Sequence, residues 1–278
     1  MSRGGCFSPR FLWNVLNVER TSLQQTEPIL KIESLCRDFG GVKAVHNLCC
    51  GVTEGEITAM IGPNGAGKTT AFNLVTGLLP VSMGKIYFDE RNITDLPPHR
   101  IAALGIGRTF QNIRIFPNMT VLENVMVGVH TRSRKGIFAS AFRLPGVSGE
   151  ERFIRECAMQ QLHFVDLDNK AQAKAGSLAF GQQRILEIAR SLAAHPRLLL
   201  LDEPAAGLNS QETIQLGMLI REILSTGVSV FIVEHDMELV MNISHTIIVL
   251  NNGCLIAHGT PSEVQKNPDV IAAYLGDD

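Results

Sequence analysis

The sequence has no excess of charge of one sign: 25 lysines and arginines face 27 acidic residues, a formal net charge of −2. Aromatic residues make up only 6% of it. With no long basic run and no interleaved aromatic cluster, a nucleic-acid partner is excluded. No apolar run approaches the roughly eighteen residues needed to span a bilayer. The six cysteines, at positions 6, 36, 49, 50, 157 and 254, form no C-x-x-C pair, and a chain of this size needs no disulfide scaffold. They read as reduced thiols in a cytoplasmic protein, with adjacent Cys49 and Cys50 as small buried side chains in an apolar, strand-like run. Internal repeats and low-complexity tracts are missing as well. The N-terminal MSRGGCFSPRFLWNVLNVER has a short greasy patch, but Asn14, Asn17 and Arg20 break it and no small-residue cleavage site follows. It reads as a disordered extension over residues 1–28, or a start placed too early, and not as a signal peptide.

What is present is ample apolar material, 45% of 278 residues, enough for one large α/β domain or two small ones. ILKIESL, AVHNLCCGV, EITAMIG, GKIYFDE, RLLLLDEP and VSVFIVEH read as strands, and HTIIVLNNGCLIAHG as a hairpin. Helices are expected at 67–77, from Pro97-Pro98 through Ala103, at TVLENVMVGV, from Glu150 to Phe164, from Gln211 to Leu224, and in short segments near the end. Alternating strands and helices predict a mostly parallel sheet covered on both faces. The helix-rich block from about 112 to 195 interrupts that alternation and reads as a subdomain.

Two stretches carry chemistry on their own terms. GPNGAGKTT fits G-x-x-x-x-G-K-[ST] through Gly62, Gly67, Lys68 and Thr69, with a strand before it and a helix after it. Residues Gly62, Pro63, Asn64, Gly65, Ala66, Gly67, Lys68, Thr69 and Thr70 then form a nucleotide loop. Its amides turn inward around phosphate oxygens, helped by the helix N-terminus. Lys68 is expected to reach the β- and γ-phosphates, and the Thr69 hydroxyl to ligate Mg²⁺. LLLLDEP places Asp202 and Glu203 at a strand end, where open α/β sheets bind ligands. Successive strand residues point to opposite sides, so the two acids are expected to differ in role. Asp202 suits the Mg²⁺ shell, and Glu203 suits a general base on the attacking water. Standing alone, a leucine-rich strand ending in acids is more often an ordinary strand-to-loop exit, and it is the phosphate loop that favours the functional reading.

SLAFGQQRILEIAR opens a second helix on a glycine, Gly181, with its apolar face beginning only at Ile185, Leu186, Ile188 and Ala189. Taken in order, GPNGAGKTT, RTFQN, LAFGQQR, LLLLDEP and IVEHD resemble the ATP-binding subunit of an ABC transporter, and the resemblance spans residues 29–276. It implies the ABC ATPase fold: a phosphate-loop NTPase (RecA-like) core of 29–111 and 196–276, an N-terminal antiparallel β subdomain, and a helical subdomain of about 112–195. In that family Leu178, Ala179, Phe180, Gly181 and Gln182 form the signature motif, which faces the ATP held by a second subunit. This chain has Ala179 where serine is commonest and Phe180 where glycine is, so a hydroxyl contact is lost and backbone N–H groups do more of the work. The resemblance further makes Gln111 a Mg²⁺- or water-contacting residue, His235 the histidine at the γ-phosphate, and Phe39 the aromatic stacked on adenine. From the residues alone these three read first as an exposed polar group, a satisfied structural histidine and a core aromatic, so the assignments rest on the resemblance. AAGLN, 205–209, matches a loop contacting the partner, with Asn209 for the commoner aspartate, and His245 replaces a usual acid.

Within the family, DEPAAGLN, IVEHDMELVM, the ending GTPSEV-KNPDVIAAYLG and a longer helical stretch around 128–150 are most similar to ATPases of branched-chain amino-acid importers. That implies ATP and Mg²⁺ as ligands, a second ATPase subunit, two membrane permeases and, indirectly, a periplasmic substrate-binding protein. It also implies a place on the cytoplasmic face of the inner membrane, reached through the permeases. Urea, amides, other amino acids or an exported substrate remain open as cargo, as does a soluble ABC ATPase.

Overall fold

The computed structural model describes residues 28–130 and 147–275. Most of the expected N-terminal extension, most of the link within 128–150, and Gly276 lie outside the described residues.

The described residues open with two twelve-residue strands, β1 (Pro28–Phe39) and β2 (Val42–Thr53), paired antiparallel from Pro28↔Thr53 to Phe39↔Val42. β4 (Met83–Phe88) pairs antiparallel with the other edge of β1, and β5 (Arg91–Asn92) with β4, completing a four-stranded sheet of order β2-β1-β4-β5. The strand expected to run through Glu90 stops at Phe88. Asp89 and Glu90 take φ of 50° and 63°, the left-handed pair that matches strand twist in a two-residue hairpin.

The second sheet has six strands in the order β10-β9-β3-β8-β7-β6. They are β3 (Ile57–Ile61), β6 (Ile106–Arg108), β7 (Leu198–Asp202), β8 (Ser229–Val233), β9 (Thr246–Asn251) and β10 (Cys254–Gly259). Every pairing is parallel except the β9–β10 hairpin. Its strands alternate between two cores, as period-two geometry requires. Met60, Leu198, Leu200, Phe231, Val233, Ile248 and Leu250 face the four-stranded sheet and α1 (Lys68–Val75). Ala59, Leu199, Leu201, Val230, Ile232, Ile247 and Val249 face α6 (Ser210–Ser225) and α7 (Met237–Ile243). Burial on both sides explains why these strands read as unbroken apolar runs.

A short helix, α2 (Pro98–Ala103), precedes β6. Between β6 and β7, helices α3 (Val121–His130), α4 (Val147–Phe164) and α5 (Phe180–Leu192) enclose a third core that includes Val121, Val125, Ala158, Leu162, Leu186 and Ala189. Two short helices, α8 (Pro261–Gln265) and α9 (Pro268–Leu275), close the described chain.

Three details correct or complete the sequence reading. Cys49 is exposed while Cys50 lies on the inner side of β2, its thiol pushed up to about 12 by burial; adjacent strand residues cannot both face the core. Asn209 is the N-cap of α6, in a capping box in which Glu212 N–H donates to Asn209 Oδ1 and Asn209 N–H to Glu212 Oε2. His245 Nδ1 accepts from the Ile57 N–H at 3.1 Å, and the His245 backbone N–H donates to the Ile57 carbonyl at 2.9 Å. The imidazole thus supplies, at the start of β3, the acceptor that a carboxylate would supply, with its proton on Nε2.

Candidate functional site

β3 is buried along its whole length and delivers the chain into the glycine loop at Gly62. Gly62 and Gly67 have φ of 149° and 100°. A Cβ at either would collide with a backbone carbonyl oxygen, that of Leu250 or of Ala44. Only glycine fits both the conformation and the space. α1 then starts at Lys68, with Gly67 as its cap.

Residues 64–70 of this loop, with Ala44, Glu203 and His235, line a cavity of about 190 Å³. A larger hollow, of about 500 Å³, lies along α4 and is lined only by Arg152, Arg155, Glu156, Met159 and Gln160. It gathers no catalytic chemistry, so the smaller cavity is the site. Lys68 is 5% exposed and its Nζ donates to the Gly62 carbonyl at 2.7 Å and the Pro63 carbonyl at 2.8 Å. Burial lowers its pKa, against the opposing pull of Glu203 and Asp202.

The two carboxylates at the end of β7 diverge. Asp202 turns into the protein, where Oδ2 accepts from Arg108 Nη2 at 2.9 Å and Oδ1 has no protein partner. Burial raises its pKa, and Arg108 works against that rise. Glu203 turns toward the cavity, through a backbone held at φ 47°. A left-handed glutamate costs on the order of 1–3 kcal/mol, a strain that clusters at functional positions. Glu203 Oε2 accepts from Gln111 Nε2 at 2.8 Å, and Oε1 lies 3.1 Å from His235 Nε2. Gln111, Glu203 and His235, which are far apart in sequence, therefore form one cluster at the edge of the phosphate loop.

Glu234, beside the histidine, escaped the sequence reading. It is 3% exposed and accepts backbone hydrogen bonds from Ala205 at 2.6 Å, His235 at 2.9 Å and Asp236 at 3.3 Å. It ties the loop after Glu203 to the loop bearing His235. An acid ending an apolar strand gave the only signal, and that signal looks the same for an exposed carboxylate.

The signature stretch is not part of the cavity wall. Leu178 is buried, Ala179 exposed, and Phe180 half exposed at the start of α5. Gln182 Oε1 accepts from Lys170 at 2.8 Å. The Phe180 ring covers Gly207, where an added Cβ would come within 2.9 Å of it, and Gly181 sits over Glu212. The connection to the cavity runs through Arg184, 1% exposed, whose Nη1 and Nη2 donate to the carbonyls of Phe110 and Gln111 at 2.8 and 2.9 Å. Arg184 also pairs with fully buried Glu187 at 3.5 Å. Phe39 ends β1, 42% exposed, with the Arg37 guanidinium 4.6 Å from its ring centroid, and does not line the cavity.

A strand, a glycine loop and a helix N-terminus facing two strand-end acids define a phosphate-loop nucleoside triphosphatase. The family profile described as ABC transporter matches residues 45–206, and one described as branched-chain amino acid ATP-binding cassette transporter matches residues 254–278. The chain is 47% identical over 253 residues to the high-affinity branched-chain amino acid transport ATP-binding protein BraF of Pseudomonas aeruginosa, covering 91% of this chain and 99% of that one. It is 42% identical over the same span to the corresponding protein LivG of Escherichia coli, at the same coverage. Among solved structures, a nucleotide-free ATP-binding cassette from an ABC transporter superposes with a TM-score of 0.79 at 32% identity, covering 90% of this chain and all of that one. A dimeric cassette in a post-hydrolysis state with ADP and Pi gives 0.71 at 26% identity, covering 84% of this chain and 98% of that one. The chain belongs to the ATP-binding subunits of ABC transporters: it binds ATP and is an ATPase.

Proposed function

We propose that this chain is the ATP-hydrolysing subunit that energises an ABC importer of branched-chain amino acids. The observation that carries this is the 47% identity to BraF over 91% of the chain, joined by the separate match of residues 254–278. On this reading it works as one of two ATPase subunits on the cytoplasmic face of the membrane, bound to two permeases fed by a periplasmic binding protein. Among the described residues no helix is long and apolar enough to cross a membrane, so the permeases would supply the membrane anchor.

In the proposed site the backbone N–H groups of residues 64–70 and the Lys68 ammonium hold the triphosphate. Glu203 takes the proton of the water that attacks the γ-phosphorus, as the bond from phosphorus to the ADP oxygen breaks. Each oxygen of its carboxylate keeps a lone pair beyond its contacts with Gln111 and His235, so the base is oriented without being blocked. Phe39 is assigned to the adenine. Leu178, Ala179, Phe180, Gly181 and Gln182 are assigned to the ATP of the partner subunit, in keeping with their position away from this chain's own cavity.

Mg²⁺ fits the residues present. No cluster of three His, Cys, Asp or Glu side chains among the described residues could cage a metal. Mg²⁺ characteristically uses one or two protein groups, waters and substrate phosphates, and Asp202 offers an unpartnered buried oxygen. Thr69, Asp202 and Gln111 would hold the ion, directly or through water. When bound, it neutralises charge on the phosphates.

Uptake tests the function. In cells whose own copy carries Glu203→Gln, ATP-driven uptake of labelled leucine, isoleucine and valine is expected to collapse. Normal uptake of all three, with loss of another solute, would assign a different cargo.

A further inference from the structure

Arg108, which opens RTFQN, is among the most enclosed charges near the site. It is the last residue of β6, in register with Leu200 of β7, two residues before Asp202. Its side chain is 8% exposed and that of Asp202 is 1% exposed. Nη2 donates to Asp202 Oδ2 at 2.9 Å, and Nη1 donates to Thr76 Oγ1 at 2.6 Å. Thr76 in turn donates to the Phe72 carbonyl at 2.8 Å, within the last turn of α1. The guanidinium is flanked by the rings of Phe110 and Phe72, at 5.1 and 5.9 Å. A planar fork held by two partners at fixed angles has little freedom to swing.

We propose that Arg108 is a positioning residue for the metal site: by occupying Oδ2 of Asp202 it fixes the carboxylate's rotation and presents Oδ1 alone to Mg²⁺, while tying that carboxylate to the C-terminal end of the phosphate-loop helix. This rests on the assignment of Asp202 to Mg²⁺ made above. The two oxygens behave in keeping with it: one is engaged by the arginine, and the other is buried with no protein partner. Arg108 does not touch nucleotide in this account. It acts as hydrogen-bonding partners behind metal ligands generally do, where their loss weakens metal affinity by about 10–100-fold.

The test measures binding of a fluorescent ATP analogue to the full chain across a Mg²⁺ titration and again in EDTA, alongside the Mg²⁺ dependence of hydrolysis. Arg108→Met is expected to raise the Mg²⁺ concentration for half-saturation by about tenfold or more, with affinity in EDTA unchanged. Arg108→Lys, which keeps the charge but not the fork, should fall between. Thr76→Val, which frees only the far end of the arginine, should give a smaller shift in the same direction, and keeps the test open should Arg108→Met fail to fold. An unchanged Mg²⁺ midpoint in folded Arg108→Met and Thr76→Val, or an equal loss of affinity with and without Mg²⁺, would overturn the inference. Asp202→Asn separates the two layers. If it leaves the Mg²⁺ dependence intact, the metal assignment itself is wrong; if it abolishes that dependence while the Arg108 variants do not shift it, only the role of Arg108 falls.

Discussion

Glu203 and Asp202 are adjacent, but the fold makes them different reagents. The left-handed backbone at Glu203 swings its carboxylate into the cavity, where Gln111 and His235 hold it. Asp202, still in strand geometry, is driven inward against Arg108. Glu203→Gln should therefore bind ATP with near wild-type affinity and hydrolyse it about 10²-fold more slowly or worse, since a carboxamide cannot accept the proton. Single-turnover hydrolysis beside equilibrium binding checks this, and a wild-type rate would mean that another group is the base. Lys68→Ala should instead lose binding, because the lost ammonium is the cavity's own cation. Unchanged turnover in that variant would remove the phosphate-loop assignment. The spacing of GPNGAGKTT made Lys68 legible, because glycine, lysine and threonine at those intervals serve little else. Arg108, Arg184 and Glu234 were not legible. A buried charge and a solvated one look alike in sequence until the partner that neutralises it is known.

At the scale of elements, the strongly apolar strands were readable and the weakly patterned ones were not. β3, β7 and β8 are each buried throughout and announce themselves as apolar runs. β6 has three residues, Ile-Gly-Arg, with no periodicity of its own, and exists because β7 pairs with it. β5, two residues long, depends in the same way on the turn at Asp89-Glu90. α5 shows a further limit. Its apolar residues were identified, but Arg184 and Glu187 share the buried side of the helix. They do so because the linker carrying Phe110 and Gln111 crosses there and offers its carbonyls to Arg184. One helix thus begins at Phe180 and, a turn later, grips the backbone of Gln111, whose side chain holds Glu203. Arg184→Met would strip those carbonyls of their donors and leave Glu187 with the Arg114 N–H, 3.3 Å from its Oε1, and the more distant Arg190 guanidinium, 3.9 Å away. Breaking a buried charged pair costs roughly 3–5 kcal/mol. Urea denaturation should show a loss of that order, and hydrolysis should fall more than ATP binding as Gln111 is released. Wild-type stability would show that the Arg184 contacts contribute nothing net.

For the whole molecule, the site is half of a machine on this account. The cavity gathers the groups needed to hold and attack a triphosphate, while residues 178–182 stand apart from it. We infer that helices α3, α4 and α5 move as a unit, because they share a core of their own. On the proposed reading, ATP would favour the closed pair of subunits, and hydrolysis would remove the phosphate that bridges them and shift the population toward the open pair. In a mixed dimer, Gly181→Asp in one subunit and Lys68→Ala in the other fall in the same composite site, whereas both lesions in one subunit fall in separate ones. When both fall in the same composite site, the other site is intact, and ATP at that site should still be bound between the subunits. Two sites behaving independently of the partner's Gly181 would contradict the shared arrangement.

The most direct measurement is recovery of the tagged protein from detergent-solubilised membranes of its native cell, with mass spectrometry of what accompanies it. The account predicts two polytopic permeases and a second ATPase subunit in stoichiometric amounts. Recovery from the soluble fraction alone, with no membrane protein attached, would contradict it.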